Sequence, residues 1–499
     1  MFIKNKIYIA VLFLNVCLNA KELSLEEAFS GGSINAQIRS IYMSQVNQMS
    51  SNTPNNNNSA FGIGGNLGFK TAVYDGVLVN AKFYTTNLIA SSANFTSQPL
   101  AGYFGSYSVL GQIYAQAQFD KTRARIGRQE VNTPLLGADD GYFIPNLFQG
   151  VSIQNKDIPQ TTLRAIFLNG MLGGTTKDSN TNSNTISSIG AALNNPQMAN
   201  TTYGVSSAQT NFSSLSRSAS GNLVNYVPNS AAIGDTPMFI LSAVNNSIEN
   251  LSAQLWYYEN VNFVRSLYAM AEPTFNLNEN NSIYAGAIYY NTNATGAAKG
   301  VLGAIQNPNN PSQNLTINYN VYSFKLGYKN SYGLTPEIAT TYIDGVQNST
   351  YILGAWGGYP NYSDMTHHCT SNFAAYLSTG GANPKGSSQW KFSITSDLDK
   401  LGFGAHQLQI AYGNYHFNPN NNYYTNQSGQ IVNGLNMDLN VVDFVYLAKS
   451  TLIENLSIKA YFEQTTFKNP ANWANVIGGS SFANTKSASY LYLKGIYSF

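Results

Sequence analysis

The C-terminal stretch constrains this chain most. From Ser489 to Phe499 the residues alternate, with Leu491, Leu493, Gly495, Tyr497 and Phe499 on one face of a strand and Tyr490, Tyr492, Lys494 and Ser498 on the other. A strand with one apolar and one polar face that finishes on an aromatic suits the closing strand of an outer-membrane β-barrel, where one side meets lipid and the other lines a lumen. The N-terminal end agrees. Lys4 and Lys6 precede the apolar run Ile7 to Leu14, and Leu18-Asn19-Ala20 places a small residue at a cut, so residues 1–20 read as a cleaved secretory signal peptide.

After that signal no stretch approaches the roughly 18 apolar residues that a membrane-crossing helix needs. Charged residues are nevertheless only 10% of the chain, which is low for a soluble protein. The 34 Tyr and 26 Phe residues supply rings for two interfacial girdles. Removing Lys4 and Lys6 leaves 24 basic residues against 24 acidic, so net charge points to no nucleic acid or other polyanionic partner. Cys17 falls in the signal, where the bulky Val16 makes a poor lipoprotein cut. Cys369 is then the one mature cysteine, and no intrachain disulfide is expected.

Short and long connections alternate. Tyr74-Asp75-Gly76, Asp120-Lys121, Asp157-Ile158-Pro159, Asn330-Ser331-Tyr332-Gly333, Asp399-Lys400-Leu401-Gly402 and Ile453-Glu454-Asn455 read as tight turns on the periplasmic side. Between them lie long polar stretches, among them 131–149 and the Ser/Asn/Thr-rich 171–235, the latter expected as a large external loop. Eighteen strands fit between these connections, from 33–43, 61–73 and 77–86 at the beginning to 436–449, 456–467 and 485–499 at the end. The expected fold is all-β: a single antiparallel transmembrane barrel of about 18 strands within residues 21–499, with both termini in the periplasm.

Period-2 alternation separates the two faces of each strand. Phe61, Ile63, Leu67, Phe69 and Val73 turn outward and leave Asn66 and Lys70 inward; Val77, Val79, Ala81 and Phe83 leave Lys82 inward. The same test sends Arg39, Arg123, Arg125, Arg164, Lys325, Lys329, Lys391, Lys459 and Lys494 to the lumen, with Asp397 and Glu463 as the acids joining them. Arg128 and Arg265 do not alternate cleanly. A basic wall of this kind attracts anionic groups, and a narrow channel with low-dielectric walls focuses the field. The plainer reading is that a barrel interior is simply where a membrane protein keeps its Lys and Arg, paired with loop carboxylates.

The stretch Gly127-Arg128-Gln129-Glu130 through Thr133-Pro134, Asp139-Asp140 and Pro145-Asn146-Leu147-Phe148-Gln149-Gly150, together with Phe83-Tyr84-Thr85-Thr86-Asn87 and Leu110-Gly111-Gln112, resembles the OprD-like family of outer-membrane porins. The likeness is sharp over about residues 60–170. It implies a barrel of about eighteen strands whose third external loop, here 131–149, folds into the lumen as a constriction. Glu130, Asp139, Asp140 and Tyr142 are then its candidate lining groups, with a ladder of basic residues leading to it. The family often carries an Arg just after the acidic pair, where this chain has Gly141 and Tyr142. The resemblance further implies passive diffusion of small polar solutes, often amino acids or other carboxylates. It also makes Tyr497 and Phe499 a signal for the barrel assembly machinery.

No catalytic group, metal or cofactor is expected. His367-His368-Cys369, near Asp364, lacks the spaced pairs of zinc sites, and none of His367, His368, His406 and His416 sits in a nucleophile motif. The expected partners are outer-membrane lipid, the assembly machinery, and small polar or anionic solutes, in the outer membrane of a Gram-negative cell. The rival reading is an adhesin or structural surface barrel with a blocked lumen, reaching outward through residues 171–235 and 344–386. A gated iron-complex transporter is disfavoured, because about 12 residues between the cut and the first strand cannot form a plug.

Overall fold

The computed structural model describes residues 24–49, 56–92, 107–138, 143–172, 237–304, 306–307, 310–314, 316–346, 349, 358, 360–365, 385–417, 423–425, 431–433, 437–450, 453–468 and 485–499. The signal-peptide stretch 1–20 and nearly all of 171–235 lie outside these residues, as do Asp139, Asp140, Tyr142 and His367-His368-Cys369.

Eighteen strands form one sheet. They are β1 (Ser33–Met49), β2 (Asn56–Lys70), β3 (Val77–Ser91), β4 (Tyr107–Phe119), β5 (Thr122–Gln129) and β6 (Leu147–Asn155). Next come β7 (Thr161–Leu172), β8 (Met238–Asn245), β9 (Leu251–Asn260), β10 (Val264–Asn278), β11 (Asn281–Ala294) and β12 (Asn318–Asn330). The set ends with β13 (Leu334–Gly345), β14 (Ser388–Asp397), β15 (His406–Phe417), β16 (Met437–Lys449), β17 (Leu456–Lys468) and β18 (Thr485–Ser498). Each pairs antiparallel with its sequence neighbour, and β18 pairs with β1 from Gln37↔Ser498 to Met49↔Thr485, which closes the barrel. Closure removes the unpaired edges that an open sheet would expose to lipid.

One rim carries the tight turns, and the residues there are those that tolerate positive φ: Asp75 and Gly76, Asp120, Asn250, Gly333, Gly402 and Asn455. Both ends of the barrel sheet lie at that rim, where the Phe499 amide donates to the Ala36 carbonyl at 3.0 Å. A short helix, α1 (Leu25–Ser30), precedes β1 there, closed by a reciprocal Ser24–Glu27 capping box, and its Phe29 stacks on Phe69 with ring centroids 5.9 Å apart. The other rim carries the long connections, including α2 (Gly296–Gly303).

The observed elements differ from the strand reading at several ends, β2 stopping at Lys70 and β3 running on to Ser91 among them, and two differences have a clear physical reason. The polar stretch left between the expected strands 33–43 and 61–73 is strand at both its ends, since β1 and β2 stay paired out to Asn47↔Asn56. A barrel wall satisfies its backbone groups by pairing whether the side chains are polar or not, so polarity there marked solvent rather than a turn. In addition, β6 begins at Leu147, three residues before Gly150, because the Phe148 side of the Pro-Asn-x-Phe motif already pairs with Gln129.

The outward face is apolar and exposed: Ile34, Ile38, Leu67, Leu241, Leu255 and Ile338 all lie there. A closed barrel with such an exterior is stable only with lipid around it. No helix among the described residues is long and apolar enough to cross a membrane.

Candidate functional site: the inward loop and the charged lumen

The connection between β5 and β6 turns into the barrel. Val131, Leu135, Leu136 and Ala138 on its first arm are buried, and so are Phe143, Ile144 and Asn146 on its second. The first arm packs against inward side chains of β7 to β9, namely Ile166, Leu168, Met238, Ile240, Trp256 and Tyr258. The second packs on Ile41, Met43, Tyr84, Tyr461 and Tyr492, on strands flanking the β1–β18 seam. Two different parts of the wall therefore hold one loop.

Motif residues make this possible. Asn132 Oδ1 accepts from the Ala138 amide at 2.8 Å, Asn146 Nδ2 donates to the Gly137 carbonyl at 3.2 Å, and the Asn146 amide donates to the Ala138 carbonyl at 2.6 Å. Asn132 closes the first arm on itself and Asn146 ties the second arm to it, and both satisfy backbone groups that the interior would otherwise strand. Thr133 closes a small turn with Leu136 through both its amide and its hydroxyl. Gly64 leaves the floor open: a Cβ there would stand 2.7 Å from the Phe143 ring.

A second segment also lies inside. Residues 360–365, within the 344–386 stretch that the surface-contact reading sends outward, are bonded to the inner wall. The Tyr362 amide donates to Ser323 Oγ at 3.0 Å, Ser363 Oγ donates to Thr341 Oγ1 at 2.6 Å, and the Met365 amide donates to the Tyr415 hydroxyl at 3.1 Å. Gly358 abuts the Leu135 backbone, so this segment meets the first inward loop.

Arg39, Lys70, Lys82, Arg123, Arg125 and Arg164 occupy inward register on β1 to β7, on the face opposite Ile38, Leu67, Val79, Ile126 and Leu163. Lys325, Lys329, Lys391, Lys459 and Lys494 do so on β12 to β18. In the first group, Arg123 and Arg125 bond glutamines: Arg123 Nη2 donates to Gln154 Oε1 at 3.2 Å, and Arg125 Nε donates to Gln116 Oε1 at 2.7 Å. Arg125 also lies over the Tyr114 ring at 4.8 Å and Arg164 over Trp256 at 5.5 Å.

The far wall is different. Lys325 Nζ pairs with Glu272 Oε1 at 2.5 Å and lies 4.3 Å from the Tyr362 ring centre, while Lys391 Nζ stands 3.9 Å from Glu337 Oε1. Asp443 and Glu463 face each other across β16 and β17, both buried. The reading of two inward acids, Asp397 and Glu463, is thus too low, since Glu272, Glu337 and Asp443 share their face. The physical reason is that alternation treats apolar as outward. Where the loops pack inside, the inward face is apolar too, as at Leu439, Val441 and Val445 around Asp443. Glu130, at the root of the inward loop, accepts from Gln112 Nε2 at 2.5 Å and from the Tyr84 hydroxyl at 3.3 Å.

Residues 104–219 match the family of OprD outer membrane porins. The whole barrel superposes on Pseudomonas aeruginosa OccK8 (OprE), at 13% identity and a TM-score of 0.60, covering 95% of this chain and 99% of that one. Pseudomonas aeruginosa OpdK with vanillate gives 14% identity and a TM-score of 0.61 over 94% of this chain and 99% of that one. This is the OprD-porin fold. No curated protein sequence matches the chain significantly.

Within the OprD-type barrel, two residues that break alternation find their reasons. Arg128 stands opposite outward Ile113 and donates to the carbonyls of Gly111 and Leu110, both at 2.5 Å, where the β3–β4 register slips by one residue. Arg265 is outward near the long-connection rim, in register with Glu259. Neither lines the lumen of the OprD-type barrel.

Proposed function

We propose that this protein is a porin of the Gram-negative outer membrane, exported with residues 1–20 as its signal and passing small polar solutes by diffusion. Carboxylate-bearing solutes, amino acids among them, are the preferred class. The observation that carries the reading is the partnership of Arg123 and Arg125 with glutamines rather than carboxylates, which leaves their charge uncompensated at short range. OpdK, of the same fold, is described with the carboxylate vanillate. Diffusion along such a wall needs no catalytic group. The surface-contact reading loses ground, because 360–365 reaches inward and not out.

The test is reconstitution of the full mature chain in a planar bilayer. Discrete conductance steps and a reversal potential of anionic sign across a potassium chloride gradient are expected; a silent bilayer from demonstrably folded barrels would sink the proposal. Tyr497 and Phe499 serve on this reading as the signal for the barrel assembly machinery. Phe499 leans edge-on against Tyr497 with centroids 4.7 Å apart and is 67% exposed, so it is accessible at the rim. Deleting Phe499 is expected to lower the amount of barrel in outer-membrane fractions, and unchanged levels would remove that role.

A further inference from the structure

We propose that Arg39 and Arg164 are positioning residues that clasp the inward loop from two places on the wall and so set the aperture, instead of drawing solutes. The inference rests on the lumen being a conduit, yet the contacts themselves do not. Arg39 is only 6% exposed, and its Nη1 donates to the Phe143 carbonyl at 3.5 Å. Its Nε and Nη2 both donate to Gln37 Oε1, at 3.2 and 2.9 Å, and Asn66 Nδ2 donates to the same oxygen at 3.1 Å. The guanidinium is thereby fixed at its root with one edge turned to the loop. Gly64, its cross-strand neighbour, provides the floor beneath the Phe143 ring.

Arg164 reaches the other arm with less support from the wall, its Nε being buried without a hydrogen-bond partner. Its Nη1 donates to the Asn132 carbonyl at 3.3 Å while the planar group lies over Trp256, and one strand face further on, the Leu135 amide donates to the Tyr258 hydroxyl at 3.4 Å. Asn132 and Phe143 lie on the two arms that Asn146 joins, so holding both fixes the loop as a body. Arg123 and Arg125 have wall residues alone as partners among the described residues. One basic ladder thus splits into two jobs, two arginines on the loop and two on the open wall.

Guanidinium suits the Arg39 position because its fork carries donors on separate nitrogens and so spans a wall oxygen and a loop carbonyl that stand apart, whereas an ammonium must reach both from a single point. The loss of one charged hydrogen bond should shift the loop's opening equilibrium by about tenfold or more.

The experiment uses the full mature chain in outer-membrane-like liposomes, with Cys369→Ser to remove the natural thiol and Ala138→Cys as a reporter, since Ala138 is buried on the loop's own first arm. Labelling by a membrane-impermeant thiol reagent then reads loop release without relying on conduction. R39Q and R164Q are expected to raise the labelling rate about tenfold each, and R39K to behave like R39Q even though it keeps the charge. R123Q should leave the rate at the parent value. In parallel bilayer recordings, R39Q and R164Q should enlarge the conductance step with little change in reversal potential. Folding of each variant is checked by mobility of unheated samples in electrophoresis, and R164K substitutes where R164Q does not fold. Parental labelling rates in both the Arg39 and the Arg164 variants would overturn the clasp, and so would wild-type behaviour of R39K beside a released R39Q, which would make the role one of charge. Raised labelling together with silence of every variant in the bilayer, the parent included, would uphold the clasp and refute the porin reading instead.

Discussion

Replacing Arg123 and Arg125 together by Gln is expected to move the reversal potential toward cation selectivity and to lower the flux of carboxylate solutes about tenfold, the lower end of what focused fields supply. The two side chains sit two residues apart on β5 and bond Gln154 and Gln116, their register partners on β6 and β4. Removing the guanidiniums therefore frees no carboxylate that could compensate, and the glutamines remain able to bond the new amides. The barrel should fold as before, because among the described residues neither arginine bonds the inward loop. Restoring charge as R123K/R125K is expected to recover most of the selectivity, since an ion in transit feels charge at range more than it feels a bidentate fork. Bilayer reversal potentials and liposome swelling with carboxylate solutes measure the two effects. Parental values in both assays would mean that solutes do not pass along β5.

Gly150→Val should damage the barrel itself. Gly150 has φ of +156°, and the register there slips, with Gln149 opposite Gly170 and Gly150 opposite Leu168. A Cβ at this position would run into the Phe167 carbonyl oxygen across the strand pair. Backbone outliers of this sort cost on the order of 1–3 kcal/mol when a side chain must adopt them, and the collision adds to that. The bulge also ends the Pro145-to-Gly150 motif that returns the inward loop to the wall, so relaxing it shifts Phe148, which is buried against the first loop arm. The expected result is a lower fraction of barrel with folded mobility and a lower unfolding temperature in detergent. An unchanged midpoint would show that β6 can straighten without harm.

Much of this was legible in the residues. Strand number, turn positions and the inward register of the cations follow from alternation, because lipid on one side and water on the other impose a strict period of two. The limits have the same origin. Glu272, Glu337 and Asp443 escape the pattern because two loops fill part of the lumen and make the inner face locally apolar, so Leu439, Val441 and Val445 mimic an outward row. The role of Arg39 was likewise hidden. Alternation gives the face on which a side chain stands and says nothing about a loop from a hundred residues away that comes to rest on it, as Phe143 does. The motif Asn132 to Gly150 was recognisable as a likeness, yet the stitching by Asn132 and Asn146 needed the folded loop to be seen.

The β1–β18 seam carries a consequence for how the molecule is made. Every other pairing in the barrel joins strands adjacent in the chain, so each can zip locally with little loss of chain freedom. The seam joins residues 37–49 to 485–498 and cannot form until the last strand has arrived. Until then two long ladders of amide and carbonyl groups stay open, in a chain already rich in exposed apolar rows and prone to stick to its neighbours. Completion is therefore all-or-none. A nascent chain that has not yet reached residues 485–499 is not a slightly weaker pore but an open sheet, a substrate for degradation, and its fate is decided by how long it can be kept apart from its own kind.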